Sequence, residues 1–597
     1  MDCRHIVALF AVPSVLTLLA GPLACNGDDP GASATDTAGP PTGAASQSGT
    51  GSTTAGPGSG TGSDAQTSGD GDGDGDGDGD TDTDSDTDTP IFDVGNGDGD
   101  GDGDGDVVYC NDAADKPSNF GCEFWAVDMD QQDAFNNPAA APWGVAISNA
   151  GIGQTEITIE INNAPPGAPL DLEIVEQFTI GPDDVIPVEL PTRELDCGVM
   201  PNDYASPGTC LSSNAYRIRS SAPIVVYQFN VFNNAFSNDA SLLLPTPALG
   251  KLYRVVGWPA GHPIKLLNII DRSAVTIVGT EPDTLVKVVP SWRIKGNPPI
   301  PAAAPGEEIS VTLGPFDVLN LETDDGTFQD NAKTIADLTG TVVFTTKPVA
   351  VFTGVESTAA PGGVVSIPTH PGWTDEDTCC LDHLEEQLFP VESLGSDYVI
   401  TRSPIRSTGS YHEPDVIRFV GVSEDTLVTT NLPPPYDSFT LAPGEIRTTW
   451  ADADFVASGT KPYIIAQLLI SQEYVDGAYT GDPALTVFPP VDQYRDEYRI
   501  LTPDDQGLWG WNKNYIVLST PLANTITIDD VEPDCVVSPA GAVDGVDYES
   551  RRCQVAAGVH AIKGDAPFGV IAYGYGSAGS YAFPGGADVE QIYEPPE

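Results

Sequence analysis

The chain has 597 residues and a formal charge of −62, with 25 Lys and Arg against 87 Asp and Glu. Nucleic acid needs a basic surface, so it is excluded as a partner, and anionic lipid heads are repelled for the same reason. The length admits several domains and a sizeable buried core once the non-globular beginning is set aside.

Residues 1–24 carry Arg4 and then the apolar run IVALFAVPSVLTLLAGPLA. Its length, its proline and its small-residue end suit a cleavable signal peptide better than a membrane span. Cys25 follows at the junction, in a setting that resembles the lipobox of bacterial lipoproteins, although Pro22 departs from the branched apolar residue usual there. The expectation is lipidation at Cys25 and display on the cell envelope, with the membrane touched only through the anchor. Plain secretion is the alternative.

Residues 25–106 are built mainly from Gly, Asp, Ser, Thr, Ala and Pro with no Lys or Arg, and include GDGDGDGDGDTDTDSDTDT. Such a segment cannot offset its ordering entropy by burial, so it is expected to be a disordered, self-repelling tether. A flexible chain of roughly 80 residues spans on the order of 50 Å, and charge extends it further. The tract holds the DxDxDG half of a calcium loop but no Glu to close it, so weak, diffuse calcium association is expected and no cofactor.

From residue 107 the composition turns to β-branched and aromatic residues punctuated by Pro, Gly and Asn, the mark of many short strands. One pattern recurs four times: AYRIRSSAPIVVYQFN at 215–230, TVVFTTKPVAVFTG at 341–354, FVASGTKPYIIAQL at 455–468 and HAIKGDAPFGVIAYG at 560–574. Each has an extended arm, a proline (Pro223, Pro348, Pro462, Pro567) and an apolar run. Because proline donates nothing to a ladder, each is expected at the first residue of a buried strand. The period, roughly 105 to 125 residues, is too long for a solenoid and fits domain-sized two-layer units.

The expected fold is therefore all-β: about four divergent, tandem antiparallel β-sandwich-like units at 107–252, 253–397, 398–497 and 498–597. A closed, propeller-like ring is the alternative, disfavoured because propeller blades are usually about 40 to 50 residues. Helical spacing is scarce; the clearest case is CCLDHLEEQLF at 379–389, with Leu381, Leu384 and Leu388 at i, i+3, i+7.

SNFGCEFWAVDMD, AYRIRSSAPIVVYQFN with SNDASLLLP, CCLDHLEEQLFP and PFGVIAYGYGSAGSYAFPGG together resemble the family named for the amino-terminal domain of the IgG-Fc-binding protein, over residues 110–586. The resemblance implies an extracellular, non-enzymatic binding or structural module and supplies no contact residues.

Eight cysteines remain after Cys3 and Cys25, an even number in an exported chain, so disulfides are the default. Cys110 with Cys122, Cys197 with Cys210, and Cys535 with Cys553 are close in sequence across turn-rich loops. The adjacent Cys379 and Cys380 would then form a vicinal disulfide, stay reduced, exchange partners, or bind metal beside Asp382 and His383. No HExxH, G-x-S-x-G, P-loop or Rossmann signature is present. His560 reads as a half-buried strand residue. Trp509, Trp511, Tyr573 and Tyr575 could form a stacking surface for a sugar or protein, or pack between units. The functional expectation is a non-catalytic, multivalent module that recognises extracellular glycoprotein or polysaccharide. The rivals are a purely structural envelope component and a hydrolase with an unrecognised carboxylate or metal site.

Overall fold

A computed structural model of the chain describes Cys110 and residues 116–596, apart from 133–137, 150, 152, 183, 196–207, 233–236, 262–270, 325–335, 375–380, 478–479 and 504–509. The signal, Cys25, the tether, Cys197, Cys379, Cys380 and Trp509 lie outside the described residues. The fold is all-β, in antiparallel sheets throughout.

The first repeat holds β1 (Gly121–Ala126), β2 (Trp143–Asn149), β3 (Thr155–Asn162), β4 (Leu172–Ile180), β5 (Val185–Leu190), β7 (Tyr216–Asn230) and β8 (Asp239–Leu243), while the short β6 (Cys210–Ser212) of the same stretch joins the second repeat's sheet beside the strand at Val318–Glu322. The second holds β9 (Gly250–Arg254), β10 (Ser273–Gly279), β11 (Thr284–Val289), β12 (Ile309–Leu313), β13 (Val318–Glu322), β14 (Val342–Thr358) and β15 (Asp382–Gln387). In the third are β16 (Asp397–Ile400), β17 (Asp415–Gly421), β18 (Thr426–Thr430), β19 (Ser438–Leu441), β20 (Ile446–Ala451), β21 (Phe455–Gly459), β22 (Tyr463–Leu468) and β23 (Leu485–Val487). The fourth has β24 (Arg495–Thr502), β25 (Lys513–Pro521), β26 (Ile526–Ile528), β27 (Cys535–Val543), β28 (Val546–Val555), β29 (Gly558–Gly576) and β30 (Gly579–Pro584).

Each repeat is wired alike around its proline-bearing strand. The arm before the proline pairs with the entering strand (β1, β9, β16 or β24) and with β3, β11, β18 or β26. The run after it pairs with β2, β10, β17 or β25 on one side and with β8, β15, β23 or β30 on the other. One long strand thus serves both layers of a sandwich, which is how corners are made when a strand switches sheets.

The prolines correct one expectation. Pro223, Pro348 and Pro567 lie inside β7, β14 and β29, and Pro462 immediately precedes β22, so they do not open the strands. In β7, β14 and β29 the register against the entering strand slips across the proline. A bulge tolerates the missing N–H, and the resulting bend turns the strand into the second layer. In the last two repeats the ring following the proline covers a glycine. A Cβ at Gly459 would stand 2.6 Å from the Tyr463 ring, and one at Gly564 would stand 2.7 Å from Phe568.

The stretch 382–387 is a strand, β15, and not the helix its leucine spacing suggested. An amphipathic helix needs a wet face for its polar side, and here every residue from Asp382 to Gln387 is buried. Pairing with β14 and polar partners inside the fold override the local periodicity.

The repeats close on themselves. β8 packs against β15 and β30, and β23 packs against the same two, so one strand from each repeat surrounds a common axis. Chain ends of the folded part seal the ring: Ser118 bridges Asp588, and Asn119 N–H donates to Ala587 O at 2.9 Å. The Tyr227 hydroxyl of the first repeat donates to Arg499 O and Gly585 O of the fourth, at 2.7 and 2.9 Å. The ring that length arguments disfavoured is therefore present, but its members are two-layer sandwiches larger than propeller blades.

Candidate functional site

The four innermost strands are sheet edges, each paired on its outer side only, and four bare edges facing one axis would leave buried N–H groups unpaired. A single carboxylate resolves this. Asp239 Oδ1 accepts from Ala240 N–H at 2.9 Å and Ala582 N–H at 3.4 Å, while Oδ2 accepts from Leu485 N–H at 2.9 Å and Glu385 N–H at 3.3 Å. These donors come from all four repeats. Burial pushes the Asp239 carboxyl well above the usual range, and its backbone donors pull against that shift.

On one side of Asp239, Asp382 Oδ1 takes Asn238 N–H at 2.6 Å and His383 N–H at 3.0 Å. Asp482 Oδ1 takes Gln472 N–H at 3.2 Å, and Asp482 N–H donates to Ser580 Oγ at 2.9 Å. Burial first, and then the charge of Asp482, raises Asp382 well above its ordinary value. Farther out, burial lifts Glu473 to about 8, against a partial pull from Arg406. Arg406 instead holds Glu413 below its ordinary value despite burial, with Nε 3.6 Å from Glu413 Oε1.

On the other side, Gln228 Nε2 donates to Glu385 Oε2 at 3.0 Å, Ser241 Oγ donates to Glu386 Oε1 at 2.9 Å, and Gln387 N–H donates to Ser241 Oγ at 2.7 Å. His383 lies with Glu385 on the opposite face of β15 from Asp382, its Nε2 3.9 Å from Glu385 Oε2. Chemically, the axis is a column of oxygen acceptors that substitutes side chains for missing strand partners.

A separate carboxylate group joins the first two repeats. Ligand oxygens of Asp130, Glu322 and Glu356 lie within 4.8 Å of one another. Asp130 hydrogen-bonds Glu322, and burial raises both carboxyls. Arg272 Nε stands 3.7 Å from Glu322 Oε2, which offsets part of the charge.

Of the aromatic residues singled out in the sequence, the described Trp511, Tyr573 and Tyr575 are buried and form no surface. Tyr573 and Tyr575 project together from β29, as strand alternation requires, but into the third repeat. Their hydroxyls donate to Gln467 Oε1 at 2.5 Å and to Pro404 O at 2.9 Å. Trp511 is buried edge-on against Tyr581, its Nε1 donating to Phe232 O at 3.3 Å. These rings pack the repeats together. His560 is a buried strand residue bonded to Asp529 at 2.8 Å.

The Cys110–Cys122 and Cys535–Cys553 disulfides are formed. Cys210 is disulfide-bonded. What faces outward includes the edge strand β4 with Leu172 and Ile174, nearby Leu170, and the β27–β28 hairpin with Val536, Val537 and Val546. Among the described residues, no helix is long and apolar enough to cross a membrane.

Sequence reasoning missed the axis. Its signal was a polar residue set in or beside each apolar inner strand: Asp239 before ASLLL, Asp382 and Glu386 around Leu384, Asp482 before PALTV, and Ser580 before YAF.

Antiparallel sandwiches with inward-turned polar groups and outward strand edges make a β-rich module. The chain matches the family described as IgGFc binding protein over residues 239–574, more than half its length, and it belongs to that family. No curated protein and no solved structure matches it.

Proposed function

We propose that the protein is a surface-tethered, non-catalytic recognition module for extracellular glycoprotein or polysaccharide, anchored through Cys25 and held off the membrane by residues 26–106. The observation that supports this best is the distribution of its groups. The described aromatic clusters and the acidic axis lie inside the fold, whereas apolar residues are left on outward strand edges, where extended partners add to sheets. Val536 is 71 % exposed and Val537 53 % exposed, and both sit on the edge strand β27. Membership of a family named for IgG Fc binding directs the first trial toward glycoproteins of that kind. Similar repeats on one tether would add avidity where several sites engage together.

The test is binding of the full secreted chain to arrayed glycans and to glycoproteins that include IgG Fc, read by surface plasmon resonance. A saturable response reduced by Val536→Asp with Val537→Asp supports the reading. Turnover of an arrayed substrate, abolished by a single carboxylate substitution, overturns it in favour of a hydrolase.

A further inference from the structure

We propose that the part of the central axis where Asn238 links Asp382 to Ser580, and Ser580 links to Asp482, binds a hard divalent cation of calcium's size. The three side chains come from three different repeats, and Ser580 adds the fourth. All four residues are fully buried. Asp382 and Asp482 each spend one oxygen on backbone N–H groups. Their other oxygens, Asp382 Oδ2 and Asp482 Oδ2, have no hydrogen-bond partner, and neither has Asn238 Oδ1.

The last of these is the independent observation. Asn238 is not acidic, and it is placed by contacts on both sides: its N–H bonds Asp382 Oδ1 at 2.6 Å and its Nδ2 bonds Ser580 O at 3.4 Å. Its amide thus reaches across the axis from the Asp382 side to the residue whose hydroxyl holds Asp482 N–H. A buried amide oxygen without a donor is costly, and three acceptors left this way on residues linked through Asn238 and Ser580 call for a positive centre.

The donor set selects the ion. Two carboxylates balance a 2+ charge, and the amide oxygen, Ser580 O and the Ser580 hydroxyl supply neutral oxygens, which suits calcium and not a soft metal. The imidazole of His383 lies on the other face of β15, by Glu385, so no nitrogen ligand enters. Arg406 donates to Ile470 O at 2.7 Å and has Nε 3.6 Å from Glu413, while its Nη1 has no hydrogen-bond partner and lies by Gly481, so it offsets part of the Asp482 charge but supplies no ligand. A cation here would tie three repeats directly and lock the ring, with an affinity of about 10⁻⁴ to 10⁻³ M, typical of extracellular modules.

The experiment uses the full chain, stripped with a chelator and titrated with calcium chloride to about 10 mM, well above that affinity range. Thermal unfolding and calorimetric titration are run on the wild type, Asp482→Asn, Asn238→Asp and Asp130→Asn. The expected result is one saturable site that raises Tm by roughly 2–5 °C. It is lost in Asp482→Asn, tightened about tenfold in Asn238→Asp by the added carboxylate, and kept in Asp130→Asn, which alters the other carboxylate group. A wild-type Tm unmoved by calcium, as for two carboxyls that share a proton, overturns the proposal. So does a Tm rise retained in Asp482→Asn, or heat from the Asp-Gly tract with no Tm rise. If Asp482→Asn does not fold, unchanged affinity in Asn238→Asp overturns it.

Discussion

Replacing Asp239 by alanine removes the acceptor shared by Ala240, Glu385, Leu485 and Ala582 N–H groups. Two of these bonds are 2.9 Å and two are 3.3–3.4 Å, so two donors lose a full partner and two lose a weaker one. An orphaned buried donor costs about 1–3 kcal/mol, which puts the gross loss at about 4–8 kcal/mol. Removing a fully buried carboxyl returns part of its own desolvation cost, leaving a net of about 3–5 kcal/mol. Asp239→Asn keeps one acceptor oxygen and turns an amide N–H₂ toward two of the donors, so it should lose about half as much. In a fold of this size each kcal/mol moves Tm by about 1–2 °C, so calorimetry of Asp239→Ala should show a drop of about 3–10 °C. An alanine variant within 1 °C of wild type would show that the axis does not depend on this carboxylate.

Glu473, raised to about 8 from 4.5, binds its proton more tightly folded than unfolded. Its contribution to stability is full below about pH 4.5 and is lost as pH rises through about 8. Asp239, Asp382, Asp482 and Glu386 are shifted in the same direction. Calcium-free protein should therefore lose Tm steadily from pH 5 to pH 9, and Glu473→Gln should flatten the upper part; a Tm that rises over that range contradicts the assignment. Gly574→Ala should destabilise by about 1–3 kcal/mol or prevent folding, because its Cβ would stand 1.9 Å from the Tyr581 ring; wild-type urea denaturation would count against that packing. Cys535→Ser with Cys553→Ser opens a loop whose cysteines are 18 residues apart, with an expected loss of about 3 kcal/mol, measurable as a lower urea midpoint. An unchanged midpoint would mean that the hairpin unfolds independently of the ring.

Much of the architecture was legible. The four proline-bearing strands, the all-β composition and the antiparallel sandwich layering follow from alternation and β-branched runs that any burial-driven reading detects. The position of the prolines was misjudged because a missing donor is equally compatible with a strand start and with a bulge, and only the slipped pairing of β7, β14 and β29 distinguishes them. Residues 382–387 misled for a different reason. Leucine spacing records which residues are apolar, whereas the fate of Asp382, Glu385 and Glu386 depends on Asn238, Gln228 and Ser241, which lie about 145–160 positions earlier in the chain. Ring closure was hidden likewise, since the contacts of Ser118 with Asp588 and of Tyr227 with Arg499 join distant parts of the chain. The aromatic pair Tyr573 and Tyr575 had the expected common direction, but whether that direction was solvent or the third repeat depended on Gln467 and Pro404.

The central claim, that four sandwiches close on one sealed axis, is tested most directly by native-state hydrogen exchange at the Ala240, Glu385, Leu485 and Ala582 amides. All four lie on strand edges with no strand partner across the axis, and they are bonded instead to Asp239. The account predicts that they exchange together, among the slowest amides of the chain, and that Asp239→Ala accelerates all four. Rapid exchange in the wild type, at four unrelated rates, would mean that the repeats open independently and that the axis does not hold them together.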